Sequence, residues 1–347
     1  MNQIKEFSAL VLEGKKKISL RKIILPSKLK KNQVLVKIYY SGICGKQIEE
    51  YIHQKGKDVF VPHLLGHEAS GKIVKVGPGV NTFEVGDLVV LHWMKNPNIK
   101  DCETPEYSYA KTKKKINSGR ITTFSEYSII SSNRLTKISK KIDLRLAAMM
   151  GCCLSTGLGT IFNQSNIKKM DKALIVGCGG VGLSILIGLN LKKQKNIAVA
   201  DINKINLKKA KKFGASVLIN LKKDKISDFK KYDFNKIFIT TGSKSGIENA
   251  IKLAATKSDI YFVGVSAPND FVKIKPFQIH IGMKLHPSVG GSIYPKKDIP
   301  KYIGKLSSDK NLLKNYINHI VNLKKAPKII NLMSKGMLSN GRNLIKI

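Results

Sequence analysis

Two patterns of hydrophobic and polar positions divide the chain. Over the first 90 residues, apolar runs are short and broken by turn residues: SALVLEG, VLVKIYYSG, SGKIVKVGPGV and GDLVVLHW read as strands, because β-branched residues lie between glycine and proline signals. Punctuation by Gly77, Pro78, Gly79 and Gly86 predicts an all-β, barrel-like lobe. Residues 94 to 123 are polar, rich in lysine and tyrosine and without periodicity, and predict a long loop or hairpin insertion. From Asp171 the pattern changes. ALIVGCGGVGLSILIGLNL gives a strand, a glycine-rich turn and an apolar helix; NIAVADIN gives the next strand, and KINLKKAKKFGA a helix ending near Gly214. SVLIN, KIFITTG and DIYFVGV continue the alternation, which implies a parallel sheet with right-handed crossovers. The chain is expected to leave this sheet near Ser288, to form helices around 300–306 and 325–334, and to close on the strand NLIKI. The fold class is α/β, a β-barrel lobe beside a doubly wound parallel sheet, with no internal repeat.

Length and composition sharpen this picture. A chain of 347 residues with 42% hydrophobic content supports two domains, each with its own core. The formal charge of +39 would ordinarily suggest a nucleic-acid or anionic-membrane partner. Its makeup argues otherwise: five of the 62 basic residues are arginine, the usual choice for bidentate phosphate and base contacts. Lysine clusters at 111–115 and 208–212 are scattered and sit on helix-forming or loop patterns, as solvated faces do. The charge is read as a compositional bias, with no nucleic-acid partner expected. Five cysteines show no disulfide spacing, the N-terminus lacks the basic and apolar regions of a signal peptide, and no apolar run approaches a membrane span. A cytoplasmic protein with no membrane partner is expected.

Two sets of residues carry chemistry. Gly177, Cys178, Gly179, Gly180, Val181 and Gly182 match GxGxxG between a strand and a helix, and Asp201 ends the following strand. In that context the glycines allow a tight turn and close approach of backbone to a pyrophosphate at the helix N-terminus. Asp201 would accept from the adenosine ribose and repel a 2′-phosphate, which favours NAD over NADP. Thr241 and Val265, at the ends of KIFITTG and DIYFVGV, complete the expected cofactor set. The second set lies in GICGKQ, LLGHEASG and GCCLSTG: Cys44, His67, Glu68 and Cys152. Two thiolates and one neutral imidazole fill three tetrahedral positions on Zn²⁺, leaving a fourth for water or a substrate oxygen.

With these words in place, and with FEVGDLVV, FSEY, ADINKINLKKAKKFGA, FVGV and GRNLIKI in the same order, nearly the whole chain resembles the zinc-dependent medium-chain dehydrogenase/reductase family of alcohol dehydrogenase type. The resemblance implies a GroES-like catalytic domain over 1–152, completed by 290–347, and a Rossmann domain over 153–289, with the active site in the cleft between them. It implies that Cys44, His67 and Cys152 bind a catalytic zinc and that Glu68 sits near the metal and can displace a ligand. It further implies that Thr156 lies between metal and nicotinamide, that Arg342 grips the cofactor pyrophosphate, and that copies pair through the sheet edge into a dimer or tetramer. The implied reaction is reversible oxidation of an alcohol to an aldehyde or ketone, with hydride passing to the nicotinamide. His92 and Trp93 match a position that lines the substrate pocket in relatives, with a plain core position the equal alternative for Trp93.

Three departures mark this chain. Only Cys102 stands where relatives with a structural zinc carry four cysteines, so a second zinc is not expected. Lys46 replaces the Ser or Thr that passes the alcohol proton, and is kept as the catalytic residue at that position. Gln47 replaces the Asp that holds the ligand histidine; its amide oxygen is expected to accept the imidazole N–H. Residues 94–123, with Asp101, Glu103, Glu106, Tyr107 and Tyr109, are expected to cover the cleft and add specificity. Two rival readings are a zinc-free NADPH-dependent quinone or enone reductase of the same fold and a lysine-rich binder of nucleic acid or anionic surfaces.

Overall fold

A computed structural model describes residues 6–54, 56–97, 99–309, 311–338 and 342–347. They form two compact units, one from the described residues of Met1–Cys152 with Tyr294–Leu338 and Arg342–Ile347, the other over Cys153–Ile293. No described helix is long and apolar enough to cross a membrane.

The first unit is built on two sheets. One has the order β4(His63–Leu64), β1(Glu6–Gly14), β2(Lys17–Ile24), β7(Tyr107–Tyr109) and β8(Lys115–Ile116). The other runs β10(Leu135–Lys137), β6(Leu88–His92), β5(Glu68–Val76), β3(Gln33–Ile43), then the C-terminal strands Arg342–Lys346 and Ile317–Asn322, with β9(Tyr127–Ser131) also on β3. Successive side chains of a strand point to opposite faces. In β1 both faces are covered: Phe7, Ala9 and Val11 enter one core with Ile23 and Tyr107, while Leu10 and Leu12 enter another with Ile43, Phe124 and Ile330. This is why SALVLEG is a continuous apolar run.

The strand β2, KISLRKII, exposes much of its surface and has no clear apolar face, which is why the hydrophobic pattern does not announce it. The polar stretch 94–123 is not a plain loop. It contributes the β7–β8 hairpin to the first sheet, with Tyr107 buried in the core and its hydroxyl accepting from the Ile129 N–H at 2.9 Å. Asp101 lies 3.2 Å from Arg120 and 3.5 Å from Arg134, and Glu103 pairs with Lys30. Several of the side chains expected to cover a cleft therefore brace the sheets.

Three connections in this unit set up a site. Strand β3 runs directly into α1(Gly45–Tyr51), with Cys44 at the N-cap. Strand β5 begins at Glu68, one residue after His67, and pairs Glu68 with His92 of β6. Helix α2(Leu144–Met149), capped by the Asp143 carboxylate on the Arg145 N–H at 2.8 Å, delivers Gly151 and Cys152. Gly151 is required by close approach, since a Cβ there would strike the Leu91 carbonyl and the Glu68 backbone.

The second unit is a six-stranded parallel sheet in the order β13(Val217–Asn220), β12(Ile197–Asp201), β11(Ala173–Val176), β14(Phe234–Ile239), β15(Ala254–Phe262) and β16(Lys284–Pro287). This is the doubly wound order 3-2-1-4-5-6. The apolar alternation predicts the first five strands. The sixth, KLHP, is short and largely exposed, so its pattern does not announce it, although it ends at Pro287, close to Ser288, where the chain is expected to leave the sheet. Its helices include α3(Cys153–Gly159), α4(Gly180–Leu191), α5(Lys204–Lys212) and α6(Lys244–Leu253). Nearly every residue of α4 is buried, in keeping with a sequence apolar on all sides.

Candidate active site

Cys44, His67 and Cys152 come together in the first unit, their ligand-type atoms all within 4.8 Å of one another. Among the described residues this is the group of three or more Cys, His, Asp or Glu close enough to share a metal ion. The Cys44 thiol is held well below its ordinary pKa, chiefly by the hydrogen bond from Cys152 and then, against burial, by His67 and Arg342. Cys152 is pushed in the opposite direction by the same bond, by burial and by the charge on Cys44. Burial lowers His67, but its close approach to Cys44 and the charges on Cys44 and Glu68 leave it raised overall. Its Nε2 is buried and makes no hydrogen bond. A buried ring nitrogen lacking a hydrogen-bond partner, with two sulfurs in reach, fits Zn²⁺, which would replace the shared proton and neutralise both thiolates.

The residues around the donors differ from the sequence expectations in instructive ways. Gln47 does meet His67, but through the other end of its amide: Nε2 lies 2.6 Å from His67 Nδ1, and Oε1 accepts from the Cys44 N–H at 3.0 Å. Capping of α1 takes the oxygen that an imidazole N–H would need. Metal binding at Nε2 places the ring hydrogen on Nδ1, so the amide must turn and give up the Cys44 N–H. Glu68 stands outside the donor group. Its carboxylate is fully buried, with Arg342 Nη2 at 2.9 Å from Oε1 and 3.2 Å from Oε2, while Nη1 donates to the Ile43 carbonyl at 3.1 Å. Arg342 is 2% exposed, so the pyrophosphate contact implied by the resemblance is a further demand on a guanidinium already engaged here.

Lys46 Nζ donates to both oxygens of Glu49, at 2.8 and 2.6 Å. The pair lies in the wall of a cavity of about 530 Å³ that also reaches His67. That wall includes Glu50, His53, Asp58 and His63, which sequence reasoning left without a role, and residues 117–119 and 121–122 of the polar insertion. A signal for part of it was present: Lys46, Glu49, Glu50 and His53 recur at the spacing that places residues on one face of a helix. Trp93 is not in this wall, and His92 is a core residue. The His92 ring bridges the Met94 carbonyl and Thr136 Oγ1, and burial pushes its pKa down to about 4. Cys102 is buried, its N–H donating to Ser131 Oγ at 3.1 Å.

In the second unit the glycine-rich turn joins β11 to α4. Gly177 has φ +89°, and a Cβ on Gly182 would strike the Gly177 carbonyl, so the turn closes only with glycine at these points. Asp201 anchors the turn, accepting from the Cys178 N–H at 2.7 Å, with further bonds from the Asn203 N–H and Asn206 Nδ2. Oδ1 accepts only the Asn203 N–H among these bonds, so the carboxylate keeps capacity for a ribose hydroxyl. Thr240 Oγ1 donates to the Gly177 carbonyl at 2.6 Å, a support the sequence did not single out beside Thr241. Thr241 Oγ1 donates to Ser243 Oγ, and Val265 is 56% exposed. Gly179 is the N-cap of α4, with Gly180, Val181 and Gly182 in its first turn at the carboxyl end of the sheet. The loop fits a dinucleotide pyrophosphate. Thr156 is buried within α3.

Residues 30–140 match the alcohol dehydrogenase GroES-like domain, and residues 180–308 match the zinc-binding dehydrogenase domain. Alcohol dehydrogenase class-2 isozyme 2 of Oryctolagus cuniculus is 25% identical over 96% of each chain. Alcohol dehydrogenase 6 of Peromyscus maniculatus is 29% identical over 88% of this chain and 89% of its own length. The crystal structure of benzyl alcohol dehydrogenase from Acinetobacter calcoaceticus superposes with a TM-score of 0.86 at 24% identity, covering 99% of both chains.

The double use of the Gln47 amide predicts that Gln47→Asp, which offers a charged acceptor to the ring N–H, raises zinc affinity by about tenfold. Competition against a chromophoric chelator at fixed pH measures this; equal or weaker affinity in the variant would contradict it.

Proposed function

We propose that this chain, which belongs to the zinc-type medium-chain dehydrogenase/reductase family, is an NAD-dependent alcohol dehydrogenase working with one catalytic zinc ion. Membership carries the coarser statement, that it is an NAD(P)-dependent oxidoreductase of alcohol type. The observation that carries the finer one is the Cys44, His67 and Cys152 donor set with its buried His67 Nε2. Zinc held there would lower the pKa of an alcohol hydroxyl in one direction and polarise a carbonyl in the other. The remaining work belongs to the chain. Gln47 orients His67, Arg342 pairs with Glu68 and holds it clear of the donors, and Lys46 and Glu49 line the cavity through which substrate reaches the site. The donor set argues against the zinc-free quinone or enone reductase reading, which has no use for two thiols sharing a proton beside an imidazole.

Asp201 supports NAD over NADP, because its carboxylate is already fixed at the end of β12, where a 2′-phosphate would meet it at close range. Two copies are proposed to pair through the edge strand β16, which ends the parallel sheet and leaves Leu285 38% exposed, next to a short helix that exposes Phe277.

Three outcomes follow from this reading. Cys44→Ala loses its metal, measured by mass spectrometry as a fall from about one zinc per chain, and loses alcohol-dependent NAD⁺ reduction while still quenching with NADH. Full turnover in the metal-free variant would sink the assignment. Asp201→Gly raises KM for NAD⁺ by about tenfold or more and narrows the preference over NADP⁺; an unchanged ratio of kcat/KM for the two cofactors removes the carboxylate from the selection. Leu285→Asp shifts the mass measured by light scattering from a multiple of 38.5 kDa towards one chain. A monomeric parent protein would refute pairing.

A further inference from the structure

The backbone around His67 is fastened on both sides. On the preceding side, the carbonyl of Leu65 accepts from the N–H groups of both Thr123 and Phe124, at 2.9 and 3.0 Å. Gly66 then turns the chain with φ +93°, packed so closely that a Cβ there would strike Thr123 Oγ1 and the Phe124 ring. On the following side, the carbonyl of Glu68 accepts from Ser41 Oγ at 3.0 Å, and Ser41 Oγ lies 2.7 Å from Thr123 Oγ1. The register pairing of β3 with β5 ends at Ser41 with Ala69, so the Ser41 hydroxyl carries the attachment one residue further, to Glu68. Ser41 and Thr123 are both fully buried. With the Ser41 hydrogen committed to the Glu68 carbonyl, the short contact between the two hydroxyls is made by the Thr123 hydrogen, and each hydroxyl polarises the next. Thr123 Oγ1 itself is 3.5 Å from the Glu68 carbonyl, too far to replace Ser41 without a shift.

We infer that Thr123 is a positioning residue for the donor His67, acting through Ser41 and through the Leu65 and Glu68 carbonyls on either side of the Gly66–His67 step. This rests on the reading of Cys44, His67 and Cys152 as a zinc site and adds a residue to it. The His67 ring is held at Nδ1 by Gln47, while its Nε2 has no hydrogen-bond partner. The direction of Nε2 towards the two sulfurs is therefore set by Gln47 and by the backbone at 66–68. Packing alone does not call for a hydroxyl at 123, because valine has nearly the shape of threonine. A valine methyl there would leave the buried Ser41 oxygen without its donor and weaken its hold on the Glu68 carbonyl. Ligand orientation of this kind, one bond removed from the metal, governs affinity.

The test separates the hydroxyl from the volume. Thr123→Val keeps the volume and removes the hydroxyl, whereas Thr123→Ser keeps the hydroxyl and removes a methyl group. Zinc affinity is measured for the parent protein and both variants by competition with a chromophoric chelator, and visible spectra are recorded after loading with Co²⁺ in place of zinc. Positioning predicts that Thr123→Val binds zinc about tenfold more weakly and shifts the cobalt bands, while Thr123→Ser retains the parent's affinity and bands. A Thr123→Val protein with the parent's affinity and spectrum, or a Thr123→Ser protein weaker than Thr123→Val, overturns the inference and leaves the zinc reading standing. A parent protein that takes up no zinc overturns both. Should circular dichroism show that Thr123→Val does not fold, Ser41→Ala, which deletes the donor to the Glu68 carbonyl, takes its place. Affinity equal to the parent's in that variant refutes the inference, and a tenfold loss with shifted cobalt bands supports it.

Discussion

The ion pair between Glu68 and Arg342 is the contact on which the metal-bearing unit depends. Both side chains are almost wholly removed from solvent, and Arg342 also donates to the carbonyl of Ile43, the residue before Cys44. One guanidinium thus ties the start of β5, the end of β3 and the last strand of the chain, and the residues next to these ties are His67 and Cys44. A buried pair of this kind contributes little net stability over apolar packing, but removing one partner leaves a buried charge at a cost of about 3–5 kcal/mol. Its value here is positional. The close contact of Gly151 with the Glu68 backbone then brings Cys152 to the same point.

The two units divide the chemistry by the kind of group each can hold. The parallel sheet supplies a turn of glycines and a fixed carboxylate, a backbone surface suited to a dinucleotide. The barrel unit supplies side chains, three of them metal donors and several charged residues in the cavity beside them. Two substitutions at the first donor act together. Gln47 caps the helix after Cys44 with the same amide that meets His67, and Lys46 folds onto Glu49 in an i,i+3 pair. Charge in the cavity is therefore set in part by local pairing, of Lys46 with Glu49 and of Asp58 with His63, rather than by the lysine excess of the chain.

Legibility followed the range of the interactions involved. Strand and helix periods, the glycine-rich turn and Asp201 are local, and β11 to β15 with α4 and α5 stand close to where the hydrophobic pattern predicts them. β2 and β16 are not read from pattern, and the β7–β8 hairpin is read only as one alternative to a long loop, since short or exposed strands carry no period-two apolar face and are held by neighbours distant in sequence. His92 illustrates the limit at single residues. The family resemblance places it in a substrate pocket, yet Thr136 and the Met94 carbonyl hold it in the core.

By itself the sequence determined the chemistry available: two thiols and an imidazole able to bind zinc, a dinucleotide turn, a carboxylate after the second strand, and a lysine and a glutamine in unusual places. Residue type and short-range spacing suffice for these. Only the tertiary structure decided which atoms meet. It turned the Gln47 oxygen to Cys44 rather than His67, committed Arg342 to Glu68, and folded Lys46 onto Glu49. The physical reason is that such pairings join segments as far apart as 299 residues, and only strand register and packing bring them within bonding distance.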